Sequence, residues 1–156
     1  MEGIFTTQFQ AIDQAFRQTF LELFGGGKAR LELEDENDIL GCGIEIKVQP
    51  PGKQLKTITL LSGGEKAFVA IALYFAIMKV HPTPFCVMDE IEAALDEANV
   101  VRYARYMRRI AGKTQFIVIT HRVALWRRPT CCTASPCRSV ASAASLPSTS
   151  MIWPRS

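Results

Sequence analysis

Long apolar runs, a strong charge of either sign and paired cysteines are all missing from this sequence. The apolar run 67–78 is too short to cross a bilayer. The first residues, MEGIFTTQFQ, lack the basic region and apolar stretch of a secretory signal. Five cysteines, an odd number at irregular spacing, give no disulfide framework. A net charge of +3 is too small to argue for nucleic-acid binding by itself. The expectation is a cytoplasmic chain with free thiols. The phosphate-binding loop G-x-x-x-x-G-K-[ST] is absent too. The stretch GGGKA, residues 25–29, only mimics it: Ala29 stands where the magnesium-binding hydroxyl belongs, and the earlier glycine is missing. What is present, 48% hydrophobic and 21% charged residues in 156, reads as one globular domain with a real core.

Between residues 5 and 24, Phe5, Phe9, Ile12, Phe16, Phe20 and Leu23 recur at steps of three and four, which predicts a helix with one apolar stripe. Gly25, Gly26 and Gly27 end it. KARLELEDEN and GIEIKV alternate apolar and polar residues and read as two strands, with a turn at 35–38 between them and a QPPGKQ loop after. A helix follows Gly64 and runs to Val80, where HPTP breaks it. FCVM, residues 85–88, is a wholly apolar run, the pattern of a strand buried on both faces. A helix over 98–110 and a second buried strand, QFIVIT at 115–120, complete an α/β layer with parallel strands. Ligands of such sheets gather at the carboxyl ends of strands, where this sequence places Asp89, Glu90 and His121.

Four segments could carry chemistry, and each has a plain structural alternative. In LLSGGEKA, Ser62, Gly63 and Gly64 open a helix whose N-terminal N–H groups attract anions, or they are an ordinary cap after a glycine turn. In FCVMDE, Asp89 suits magnesium and Glu90 suits a base for an attacking water, or both are solvated acids. Asp96 in ALDEAN reads alone as an N-cap. His121 could hydrogen-bond a terminal phosphate, or be structural.

Taken together, LSGGEK, FCVMDE, ALDEAN and QFIVITHR resemble the C-terminal head half of the SMC (structural maintenance of chromosomes) proteins of bacterial type, within the ABC-type ATPases. LFGGGKARLEL and GIEIKVQPPGK resemble the same family upstream, so the likeness covers residues 5–122. Glu92 departs from it, standing where the family usually has Asp, and little effect is expected. The resemblance implies an α/β fold, the C-terminal half of an ABC-type head, with a mixed or parallel sheet flanked by helices. It implies an ATPase using ATP and Mg²⁺, in which Ser62, Gly63 and Gly64 touch the γ-phosphate held by the opposite head. Asp89 would help place Mg²⁺, Glu90 would polarise water, Asp96 would bridge two heads and His121 would contact the γ-phosphate. The implied partners are an N-terminal head half bearing the phosphate loop (Walker A), a second head, a kleisin subunit and DNA through the full complex, without a membrane. The implied setting is the nucleoid, in chromosome condensation and segregation. Without Walker A, the chain by itself is expected to be inactive. Two other readings are a head from an ABC-type DNA-repair relative and a non-catalytic, kleisin-binding fragment; the tract before and through LLSGGEKA argues against a transporter.

The likeness stops after Arg122. Residues 123–156 have no acidic residue and no apolar periodicity, and read as a mostly disordered, non-family tail. RVALWRRPTCCTASPCRS can be back-translated so that a frame two bases later spells RGTMEAADVLYGVTMQE, which resembles the family's continuation. The hypothesis is a one-base deletion, which gene sequencing across codon 122 tests. Cys131, Cys132 and Cys137 are then incidental rather than zinc ligands.

Overall fold

The computed structural model describes residues 2–35, 38–111, 114–120 and 149–153. Helix α1 spans Glu2–Phe24. Phe16, Phe20 and Leu23 of its stripe are fully buried, whereas Phe5, Phe9 and Ile12 are half-buried and line an apolar groove of about 330 Å³ with Leu31, Ile46 and Ile77. The glycine run that mimics a phosphate loop is a turn: Gly25, Gly26 and Gly27 all have positive φ. A Cβ at Gly27 would lie 2.3 Å from the Gln49 carbonyl oxygen, so only glycine fits.

Strand β1 (Lys28–Leu33) pairs antiparallel with β2 (Ile44–Gln49), which pairs with the short β3 (Lys56–Thr57). Ala29, Leu31 and Val48 point inward, and Lys47 bridges Glu32 and Glu45 on the other side. A single 3-10 turn, Ile58–Leu60, leads into α2 (Gly63–Val80). Phe68 and Phe75 of α2 join the core, with the Phe68 ring tilted against Phe24 at a centroid distance of 4.6 Å. α3 (Glu97–Ile110) buries Val100, Tyr103, Tyr106 and Met107. Arg102, Arg105, Arg108 and Arg109 of the same helix are exposed, and Arg109 also pairs with Glu22 of α1, the division expected of a surface helix.

Strands β4 (Phe85–Asp89) and β5 (Gln115–Thr120) pair in parallel, with Phe85 opposite Gln115 and Asp89 opposite Ile119. α3 is the crossover between them. The expected α/β arrangement is therefore present, with two corrections. First, β4 is not buried on both faces. Cys86 and Met88 are in the core, but Phe85 is 60% and Val87 53% exposed. Alternation places Phe85, Val87 and Asp89 on one uncovered face, and β4 is the edge of its sheet among the described residues. Second, five residues of the expected disordered tail are a strand. β6 (Thr149–Trp153) pairs antiparallel with β5, from Phe116 opposite Trp153 to Thr120 opposite Thr149. The backbone of β6 supplies partners to that edge of β5. The frame-shift reading and the other tail residues fall on 121–148 and 154–156, outside the described residues. No described helix is long and apolar enough to cross a membrane.

Candidate functional site

Three segments meet at one end of the molecule: the start of α2, the end of β4 and the turn that leads to α3. The start of α2 is built by the sequence S-x-x-E. Ser62 is its N-cap, and Glu65 reaches back to accept from the Ser62 backbone N–H at 3.3 Å and its hydroxyl at 2.9 Å. Lys53 also donates to Glu65, at 2.6 Å. That ammonium, and next the Ser62 hydroxyl, hold the Glu65 carboxyl below its usual range. The S-x-x-E spacing of Ser62 and Glu65 marks this cap in the sequence, whereas the Lys53 contact, 12 residues away, is made only by the fold.

The two glycines of this turn differ. A Cβ at Gly63 would meet nothing within 4 Å, whereas one at Gly64 would lie 3.1 Å from the Ala94 carbonyl oxygen. Gly64 therefore seats α2 against the 90–96 turn, and Gly63 leaves room outside. Gly63→Ala should stabilise the chain by about 0.4–1 kcal/mol through loss of unfolded-state entropy. Gly64→Ala should show no such gain, because the Ala94 backbone must give way. Urea unfolding midpoints of the two variants check the contrast; equal gains would mean that the 90–96 turn does not press on Gly64.

Asp89 and Glu90 are both exposed at the carboxyl end of β4. Glu90 has φ 49, a left-handed backbone for a non-glycine residue, at a cost of about 1–3 kcal/mol. Its N–H donates to the Ile119 carbonyl at 2.9 Å, and its carbonyl accepts from Ala93 N–H at 3.0 Å. This pairing turns the chain sharply off the strand. Asp96 is the N-cap of α3: Oδ1 accepts from the Asn99 N–H at 2.7 Å and Oδ2 from the Asn99 side-chain amide at 3.2 Å. Within this chain the plain alternative for Asp96 is thus realised. His121 lies outside the described residues, one position past Thr120, which is buried.

An exposed carboxylate at a strand's carboxyl end can help hold a metal–phosphate group, and a helix N-terminus with an open glycine can separately receive a phosphate from outside. Among the described residues no three His, Cys, Asp or Glu side chains gather into a metal-sized cluster. Magnesium typically needs only one or two carboxylates when phosphate oxygens complete its shell, so Asp89 fits that role. Glu92, which stands where the family usually has Asp, is buried in the same turn.

The family model described as RecF/RecN/SMC N terminal domain matches residues 7–132. The chain is 59% identical over 118 residues to the chromosome partition protein Smc of Bacillus subtilis, covering 76% of this chain and 10% of that protein. It is 55% identical over 122 residues to the Smc of Clostridium kluyveri, covering 78% of this chain and again 10% of the relative. The chain thus spans about a tenth of the length of these curated relatives. Among solved structures, an SMC ATPase studied for ATP-driven dimerization and DNA-stimulated activation superposes with a TM-score of 0.73 at 44% identity, over 81% of this chain and 76% of that chain. The Smc head domain of Pyrococcus furiosus, with an extended coiled coil and bound to the C-terminal domain of ScpA, gives 0.72 at 45% identity, over 80% of this chain and 31% of that one. The chain belongs to the RecF/RecN/SMC family, and its mixed α/β fold is similar to the heads of SMC ATPases.

Proposed function

We propose that this chain is the C-terminal lobe of an SMC ATPase head, completing a composite ATP site whose Walker A loop comes from a separate N-terminal lobe. The observation that carries the reading is the one-sided sheet. β4 presents Phe85, Val87 and Asp89 on an uncovered face, at a free sheet edge. A second lobe that covers Phe85 and Val87 meets Asp89 on the same side.

In this arrangement Asp89 helps hold Mg²⁺ on the ATP of its own head, and Glu90 orients or deprotonates the attacking water. His121, the next residue in the sequence after Thr120, would contact the γ-phosphate. Ser62, Gly63 and Gly64 offer the N-terminus of α2 to the γ-phosphate on a second head. Open space at Gly63 is what such an approach needs. Asp96, now the cap of α3, faces the second head across the joint. Bound Mg²⁺ supplies charge neutralisation at the phosphates. Phosphoryl transfer depends mainly on positioning and charge stabilisation, so groups divided between bodies make hydrolysis depend on their engagement. The wider setting is chromosome condensation and segregation in the cytoplasm, on the nucleoid, with a kleisin subunit and with DNA through the full complex. Support for a kleisin comes from the Pyrococcus furiosus head bound to ScpA.

The test is to mix this chain with a separately made N-terminal lobe. ATPase activity that appears only in the mixture is the expected result. Kleisin binding with no activity in the mixture would instead favour a non-catalytic fragment.

Ser62→Arg should block ATP-dependent engagement of two assembled heads and leave ATP affinity within about threefold. A cation at the helix N-terminus opposes the dipole, and its bulk keeps phosphate from the backbone. ATP affinity and dimerisation are measured side by side; collapse of affinity with dimerisation intact would mean that the α2 turn serves its own head's nucleotide.

A further inference from the structure

Glu92 is the one acid in the core of the described residues, 1% exposed. Its Oε1 accepts a hydrogen bond from the Thr120 hydroxyl. Its Oε2 is buried without a hydrogen-bond partner. An unmet buried polar atom costs about 1–3 kcal/mol, so an apolar side chain would serve packing better. The carboxyl sits two residues beyond Glu90, in a turn fastened to β5 twice. Glu90 N–H donates to the Ile119 carbonyl at 2.9 Å, and Thr120 donates to Glu92. The turn is closed on itself by Ala93 N–H to the Glu90 carbonyl and Leu95 N–H to the Glu92 carbonyl, both 3.0 Å. α3 packs on the same spot. The Tyr103 phenol donates to the Met88 sulfur at 3.1 Å, and burial, then the Glu92 charge, push its pKa up.

The left-handed backbone of Glu90 persists only if its surroundings over-determine it. We propose that Glu92 is a positioning residue: by gripping Thr120 it locks the Glu90–Leu95 turn to the end of β5 and keeps Glu90 in its strained, working geometry. Glu92 is buried and acts through Glu90. The inference rests on the reading of Glu90 as the residue that serves the attacking water, while the lock itself is testable without that reading.

Two measurements on Glu92→Ala, Thr120→Val and Glu92→Gln test it. Amide hydrogen exchange of the full 156-residue chain should show the Glu90 and Leu95 N–H groups exchanging at least about tenfold faster in Glu92→Ala and Thr120→Val, with α1 and α2 amides unchanged. Glu92→Gln keeps the acceptor oxygen and should stay within about threefold of the parent. In the assembled head, the first two variants should lower kcat at least about tenfold and leave the KM for ATP and engagement within about twofold, and Glu92→Gln should rescue kcat. Unchanged exchange at Glu90 overturns the lock. Faster exchange with an unchanged kcat overturns its bearing on the reaction. If Glu92→Ala does not fold, Thr120→Val carries both measurements, since it removes only the hydroxyl. A parent head without turnover would instead count against the proposed function, with the exchange result still deciding the lock.

Discussion

Glu90→Gln in a head assembled from this chain and a Walker A lobe should reduce ATP turnover by about 10²–10⁴-fold, the usual contribution of a positioned general base, and leave ATP-dependent engagement intact. The amide has the volume of the carboxyl, so the φ 49 turn and its bond to Ile119 are undisturbed. What is lost is the negative charge that orients and deprotonates water. Since hydrolysis is what releases engaged heads in the proposed cycle, size-exclusion chromatography with ATP should show a dimer that persists for longer than the parent's. Turnover at the parent rate would remove Glu90 from the chemistry, and the exposed acids of this turn would then be no more than solvated side chains.

Val87→Asp should leave this chain folded and abolish its association with the N-terminal lobe, by at least about 10²-fold in Kd. Val87 is 53% exposed and Phe85 60%, so an aspartate at 87 meets water in the chain by itself. Surface changes of that kind are usually within about 0.5 kcal/mol of neutral. Once a lobe covers the face, the same position is buried. The lost valine burial is then worth about 1.5–3 kcal/mol, and desolvation of a carboxylate adds to it; each 1.4 kcal/mol is about tenfold in affinity. Calorimetric titration of one lobe into the other measures the difference, and circular dichroism of the variant checks the fold. Unchanged affinity would place the joint elsewhere than the uncovered face of β4.

Much of this molecule is legible in local pattern. The three-and-four spacing from Phe5 to Leu23 carries α1, alternation carries β1 and β2, and the Asp89-Glu90 pair marks the end of β4. These signals survive because helix and strand periods are properties of neighbouring residues. The motif spacing from Ser62 to Asp96 likewise identifies the family, which the RecF/RecN/SMC match bears out. Contacts between distant segments leave no such trace. FCVM reads the same whether its second face is buried in this chain or left for another lobe, and only the packed sheet shows Phe85 and Val87 uncovered. Residues 149–153 sit in a stretch with no apolar period, and they form a strand because β5 offers an edge to pair with. Gly63 and Gly64 are alike on the page of the sequence, yet the Ala94 carbonyl crowds one and not the other. In the sequence Glu92 is a Glu where the family usually has Asp, a change from which little effect is expected. Its burial against Thr120, 28 residues away in sequence, is a fact of tertiary packing, because the side chain that satisfies half of it arrives from a strand that local sequence cannot place.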